Sequence, residues 1–533
     1  MDIHRRTFLT VLGSTVAWPA LGGLTTTAFA KDPVKGGTVR IFLNQPVYLT
    51  SAISSSGPIA QISPKIFDGL VEYDHDMTPH PRMASSVTMS DDAKTLTIVL
   101  REGLKWHDGK PITSADIAFS ATEVWRKYHP RGRSTYAALE SVDTPDELTA
   151  VFNFSKPSAF VMNALFASEA QVLPRHIYEG TDILKNPANN APIGSGPFRF
   201  VEWRQGEYIL LEKNPDYWAE GEPYVDQIVV LLVGDSSAKA IAFEAEEVDI
   251  AGGIPVALAD ARRLEQLPHI EIPDTGFEAY GNNTFMEINL RRPELQDVRV
   301  RRAILHALDR EFMMKSVYFD FGTIATGPVP APIKNFYTAD VPTYDFDPEL
   351  AKKLLDEAGL KPDSNGTRLS LTLDPLPYGS VAKPAAAYIK QALSVVGIDV
   401  TIRSGDPATY FKRVYGDNDF DLTISGASAL TDPTIGVQRF FWSKNIIPGV
   451  AFSNGSGYSD PEMDAILEAA AAEPNPARRT ELFHAFQRKA ATDLPILPIA
   501  DLPYFAVKNT RLKNTEVSPF GFGGNFSTVY IDR

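Results

Sequence analysis

Cysteine is absent from all 533 residues. That excludes a disulfide framework, thiolate zinc sites, iron–sulfur ligation and a cysteine nucleophile. No basic cluster follows the N-terminus, and the net charge is −15. A general attraction to nucleic-acid phosphates or anionic lipid headgroups is therefore not expected. Internal repeats, low-complexity tracts, H-E-x-x-H, G-x-S-x-G and a phosphate-cradling P-loop are all missing. What remains is a chain with 44% hydrophobic and 22% charged residues, the composition of a soluble globular protein able to bury a sizeable core.

The first thirty residues set the compartment. Arg5-Arg6 precede Thr7-Phe8-Leu9, and a moderately apolar stretch runs to Ala28-Phe29-Ala30 ahead of Lys31-Asp32. This predicts a twin-arginine export signal cut after Ala30, with Pro19 and several glycines and threonines making a membrane span too weak. No cysteine follows for lipidation, so a free periplasmic protein is expected.

Beyond the signal, Thr38–Leu43, Leu96–Leu100, Thr149–Phe154, Phe198–Trp203, Tyr208–Lys213 and Gln227–Val233 read as strands. Thr113 and Asp116 have capping-box spacing ahead of Ile117, Phe119, Ala121, Val124 and Trp125. Near residue 285 the pattern changes. Apolar residues at Val300, Ile304, Ala307, Leu308 and Phe312 predict one amphipathic helix over Asp297–Lys315. A second helix, Pro348–Ala358, stops at Gly359. Strand and helix then alternate through Arg368–Leu373, Val381–Val396, Ile398–Arg403, Pro407–Tyr415 and Phe420–Ser425, which predicts a parallel sheet. Two late helices, Pro461–Ala472 and Pro476–Thr492, precede an extended return at Leu494–Val507.

Five ordered segments carry a resemblance. They are Leu100–Ser120 (LREGLKWHDGKPITSADIAFS), Ala191–Trp218, Leu295–Pro330, Tyr344–Leu360 and Gly457–Ala470. Together the chain resembles the family 5 extracellular solute-binding proteins, the binding components of ATP-driven importers. The resemblance implies an α/β, type II-like periplasmic-binding-protein clamshell of two lobes with an extra inserted domain. Domain I would comprise 31–75, 197–283 and 502–533, the inserted domain II 76–196, and domain III, with the parallel sheet, 284–501. Ligand would bind between the lobes and be buried by hinge closure, the chain crossing near Gly276–Asn289 and Ile496–Phe505.

Most matching residues have scaffold roles: Trp106, Asp108, Gly109 and Pro111 shape a turn, and Asp297, Arg299 and Arg302 open a helix. The loop after Phe420–Ser425 is different, because open α/β sheets place ligands at the carboxyl ends of strands. In peptide-binding members an aspartate at the place resembling Asp432 pairs with the peptide's α-amino group, while an Asp-Pro pair is also a turn initiator. Phe440 and Trp442 are candidates to wall a side-chain pocket, with at least one of Phe440, Phe441 and Trp442 in the core. Tyr48 lies in a loop that commonly contacts ligand, although Pro46-Val47-Tyr48-Leu49 stands where the family often has Asp-Pro.

The expected function is a monomeric, non-catalytic periplasmic component that captures short peptides or related amine-bearing solutes. It would pass them to an ABC transporter permease and its ATPase. Neither cofactor nor metal is expected. Oligosaccharide, opine and chelated nickel or haem are the alternatives within the family, and His75 with His80 is the one pair considered for a metal. A serine hydrolase built on Ser236-x-x-Lys239 is the competing class, without the S-D-N and K-T-G partners such enzymes carry.

Overall fold

The computed structural model describes residues 33–377 and 380–532; the expected twin-arginine signal lies outside them. In Thr38–Leu43 alternate residues Val39, Ile41 and Leu43 are buried. This strand runs parallel to Gln227–Leu232, pairing Ile41 with Val230, and parallel to Ile250–Gly252, pairing Ile41 with Ile250. It sits at the middle of a seven-stranded sheet. The order is Ile270–Glu271, Ala506–Asn509, Ile250–Gly252, Thr38–Leu43, Gln227–Leu232, Tyr208–Lys213, Phe198–Arg204. The C-terminal return thus closes the first sheet.

A second layer comes from the segment between the first and second strands of that sheet. Thr95–Leu100 and Thr149–Phe154 alternate strictly, burying Leu96, Ile98, Leu100, Ala150, Phe152 and Phe154. With Ala84–Met89 and Leu139–Asp143 they form a four-stranded antiparallel sheet. The predicted capping box is formed: Thr113 N–H donates to the Asp116 carboxylate at 2.9 Å ahead of helix Ser114–Phe119.

The second lobe holds a six-stranded sheet in the order Thr323–Ile324, Ile496–Asp501, Asn282–Ile288, Leu422–Ser428, Leu369–Pro375, Ile398–Ile402. Only the last three are mutually parallel. The parallel arrangement expected of Arg368–Leu373, Ile398–Arg403 and Phe420–Ser425 is formed, while Asn282–Ile288 pairs antiparallel with both of its neighbours, so the sheet as a whole is mixed. The cause lies in the connections. Helix Ala382–Val395 carries the chain back between parallel strands, as a crossover must. Asn282–Ile288 instead enters directly from the first lobe. The single helix expected over Asp297–Lys315 is also two, Val298–His306 and Arg310–Ser316. Asp309 ends the first register by capping the second helix, accepting from Phe312 N–H at 2.8 Å.

Among the described residues the chain passes between these two sheets twice, at residues 272–281 and 502–505. The register Asn282↔Ser428 and Asn283↔Asp501 brings the carboxyl ends of two strands to that same crossing edge. The loop after Ser428 therefore lies at the lobe boundary. Among the described residues no helix is long and apolar enough to cross a membrane.

Candidate ligand cleft between the lobes

Past Ser428 the pairing continues from the crossing segment, Ala429 N–H donating to Gly281 O at 3.0 Å and Leu430 N–H to Tyr280 O at 3.2 Å. Leu430 is held at φ +56°, a left-handed conformation costly for a branched side chain. Gly436 follows where the turn crosses the strand end; a Cβ there would stand 2.1 Å from Ser428 O. The loop so aimed meets the inserted layer. Thr431 Oγ1 donates to Asn163 O, and Asn163 Nδ2 donates to Asp432 Oδ2 at 2.8 Å. Leu430 and Ile435 bury Ala164 beside these bonds. Tyr280 and Tyr504, one on each crossing segment, pack at 5.6 Å, and burial pushes both hydroxyls above their ordinary range.

Asp432 is fully buried and its acceptor capacity is taken within the chain. Arg479 grips it with two bonds, Nη1 to Oδ2 at 2.5 Å and Nη2 to Oδ1 at 2.8 Å. Asn163 takes the remaining site on Oδ2 and Thr434 N–H, at 2.9 Å, that on Oδ1. A carboxylate offers about four acceptor positions, so none is left for a ligand ammonium. The expected amine-binding role of Asp432 is corrected to that of a helix cap and buried ion pair. Phe440 is corrected too. It lies 1% exposed in the second-lobe core, edge-on to Phe285 at 5.3 Å, while Phe441 packs on Phe486. Trp442 alone of the three turns outward, its indole N–H donating to Glu468 at 3.0 Å. Tyr48 is half-buried against the first-lobe core.

Trp442 faces a cavity of about 580 Å³ lined from both lobes. The inserted layer contributes Arg131, Arg133, Lys156 and Phe160, and the second lobe Gln438, Arg439, Trp442, Lys444, Phe452 and Glu468. Arg131 is engaged by Glu169 and Lys444 by Glu468 at 2.5 Å. Arg439 has no carboxylate within 4 Å among the described residues; its Nε donates to Gly436 O at 3.2 Å and its guanidinium lies over Phe440 and Phe452. Burial, then the like charge of Arg131, pulls its pKa down to about 10. Arg131, Gln438 and Arg439 escaped the sequence reading; an arginine inside the apolar run V-Q-R-F-F-W was the one available signal.

The competing chemistries separate. Lys239 Nζ donates to Asn44 Oδ1 at 2.9 Å, while Ser236 opens a helix capped by Asp235. His75 binds Glu278 and the Glu516 carbonyl, and His80 binds Asp74.

Two lobes joined by two short passes, with a cavity at their junction, define a periplasmic-binding-protein clamshell. Residues 78–448 match the model of bacterial extracellular solute-binding proteins, family 5 (middle region), and the chain belongs to that family. It is 27% identical over 483 residues to the oligopeptide-binding protein AppA of Bacillus subtilis, covering 87% of this chain and 86% of AppA. The AppA structure in complex with a nonapeptide superposes with a TM-score of 0.80 over 94% of this chain and all of that one, at 25% identity. A Brucella ovis protein named for peptide binding in an ABC transporter is 29% identical over 86% of each chain. Heme-binding protein A of Haemophilus influenzae is 26% identical, over 88% of this chain and 87% of its own.

Proposed function

We propose that this protein captures short peptides between its lobes and delivers them to the membrane permease of an ABC importer, without catalysis. One observation carries the reading: a cavity of about 580 Å³ is lined on one side by the inserted layer of the first lobe and on the other by the second lobe. A ligand that touches both walls favours the closed arrangement through its differential affinity for that state, and closure is then the signal the permease reads. The names of AppA and the Brucella protein support the peptide class. Export through the twin-arginine signal would place the chain in the periplasm as a monomer. The first lobe is assigned to 31–75, 197–283 and 502–533 with 76–196 inserted, and the second to 284–501. Titration with penta-alanine, followed by calorimetry and small-angle scattering, tests the reading. Saturable binding with a smaller radius of gyration is expected. Binding with an unchanged radius would overturn the closure.

A further inference from the structure

The cavity's charge deepens that reading, on which this inference rests. Its lining holds five cations, Arg131, Arg133, Lys156, Arg439 and Lys444, against one carboxylate, Glu468. This excess stands out in a chain of net charge −15. Glu169 and Glu468 answer Arg131 and Lys444, so Arg133, Lys156 and Arg439 have no carboxylate within 4 Å among the described residues.

A second feature on the same wall points to a ligand. Gln438 is 9% exposed, and its Oε1 is enclosed without a hydrogen-bond partner. Buried side-chain polar atoms are nearly always bonded, and an orphan calls for a missing partner. Beside a guanidinium, an amide of this kind matches a peptide unit: Gln438 Oε1 accepts from one peptide N–H and Arg439 grips a carboxylate with its free nitrogens. Acids cannot help a ligand ammonium here, because Glu468 is held by Lys444 and Trp442 and Asp432 by Arg479.

We infer that the cleft selects solutes by a carboxylate seated at Arg439 beside Gln438, with Arg133 and Lys156 attracting it at the mouth, and that a charged α-amine is not required. The carboxylate is either a peptide's C-terminus or an acidic side chain. Both offer the same two oxygens, and the ligand set below separates them.

The exported protein, unfolded and refolded to remove bound solute, is titrated calorimetrically. The ligands are penta-alanine, its C-terminal amide, its N-acetyl form, and amidated peptides Ala-Ala-Glu-Ala-Ala and Ala-Ala-Lys-Ala-Ala. Penta-alanine or the Glu peptide should bind at least about tenfold more tightly than the neutral amide, with the Lys peptide weakest. Tight penta-alanine identifies the C-terminus, and a tight Glu amide identifies the side chain. N-acetylation should cost less than about threefold. Arg439→Met should abolish the preference and Arg439→Lys keep part of it, both melting like the parent when empty. Equal binding of the amide and the acids, or an unchanged preference in Arg439→Met, would overturn this inference while leaving peptide capture standing. Binding of none of the five at millimolar concentration would remove the peptide reading and this inference together.

Discussion

Replacing Asp432 by Asn keeps the side chain's shape but removes the charge that Arg479 faces. The pair is deeply buried, with side chains 0% and 6% exposed. Arg479 would keep Ala470 O at 2.8 Å and Thr434 Oγ1 at 2.8 Å, but its two bonds to carboxylate oxygens would lose their charge, and an amide NH₂ would oppose one of its own nitrogens. Removing one partner of a buried pair costs about 3–5 kcal/mol, since an uncompensated ion stays behind in low dielectric. For a unit of some 150–250 residues, each kcal/mol lowers the melting temperature by about 2–4 °C. The empty variant should therefore melt on the order of 10 °C below the parent. Differential scanning calorimetry of ligand-free protein reads this directly. The double variant Asp432→Asn with Arg479→Met removes both charges and should recover a large part of the loss. If the single variant melts like the parent when empty and yet loses ligand affinity severely, Asp432 is a ligand residue and not a structural ion-pair partner.

Asn163→Ala removes the bond that reaches Asp432 from the inserted layer. A hydrogen bond to a buried charged group contributes about 1.5–3 kcal/mol, so the empty protein should melt several degrees lower in scanning calorimetry, and unchanged melting would contradict the role of that bond. Glu287, whose oxygens accept from Ser456 N–H at 2.7 Å and Tyr415 OH at 3.3 Å, is pushed by burial from 4.5 up to about 7. The folded state therefore holds its proton where the unfolded state has lost it. Glu287 should cost stability as pH rises from about 4.5 to 7, at a slope of up to about 1.4 kcal/mol per unit. Glu287→Gln should flatten that slope in urea titrations, and an unchanged slope would refute the assignment. Changing Arg5-Arg6 to Lys-Lys should leave precursor in the cytoplasm on fractionation.

Strands that bury one face were legible, because period-two alternation is a local signal: Thr149–Phe154 in the four-stranded sheet and Tyr208–Lys213 in the seven-stranded one match their predicted limits. Helix Pro461–Ala472 was legible for a similar reason, beginning at an Asp-Pro pair. The parallel strands of the second sheet were legible from their alternation with helices, but its antiparallel part was not, since the pairing of Asn282–Ile288 with Leu422–Ser428 joins segments over a hundred residues apart. The cleft was the least legible part. Asp432 looks like a ligand acid until Arg479, 47 residues later, is brought onto it. Three adjacent aromatics gave no sign of which faces the cavity. The turn Gln438–Phe440 decides it, sending Phe440 inward and leaving Arg439 and Trp442 on the cavity wall.

A peptide held in the cleft between the lobes should travel with the protein through purification. Protein purified from the cells that make it can be denatured, and the small molecules it releases identified by mass spectrometry. Peptides bearing a free carboxylate are predicted, and a stoichiometric non-peptide solute in their place would rule out peptide capture.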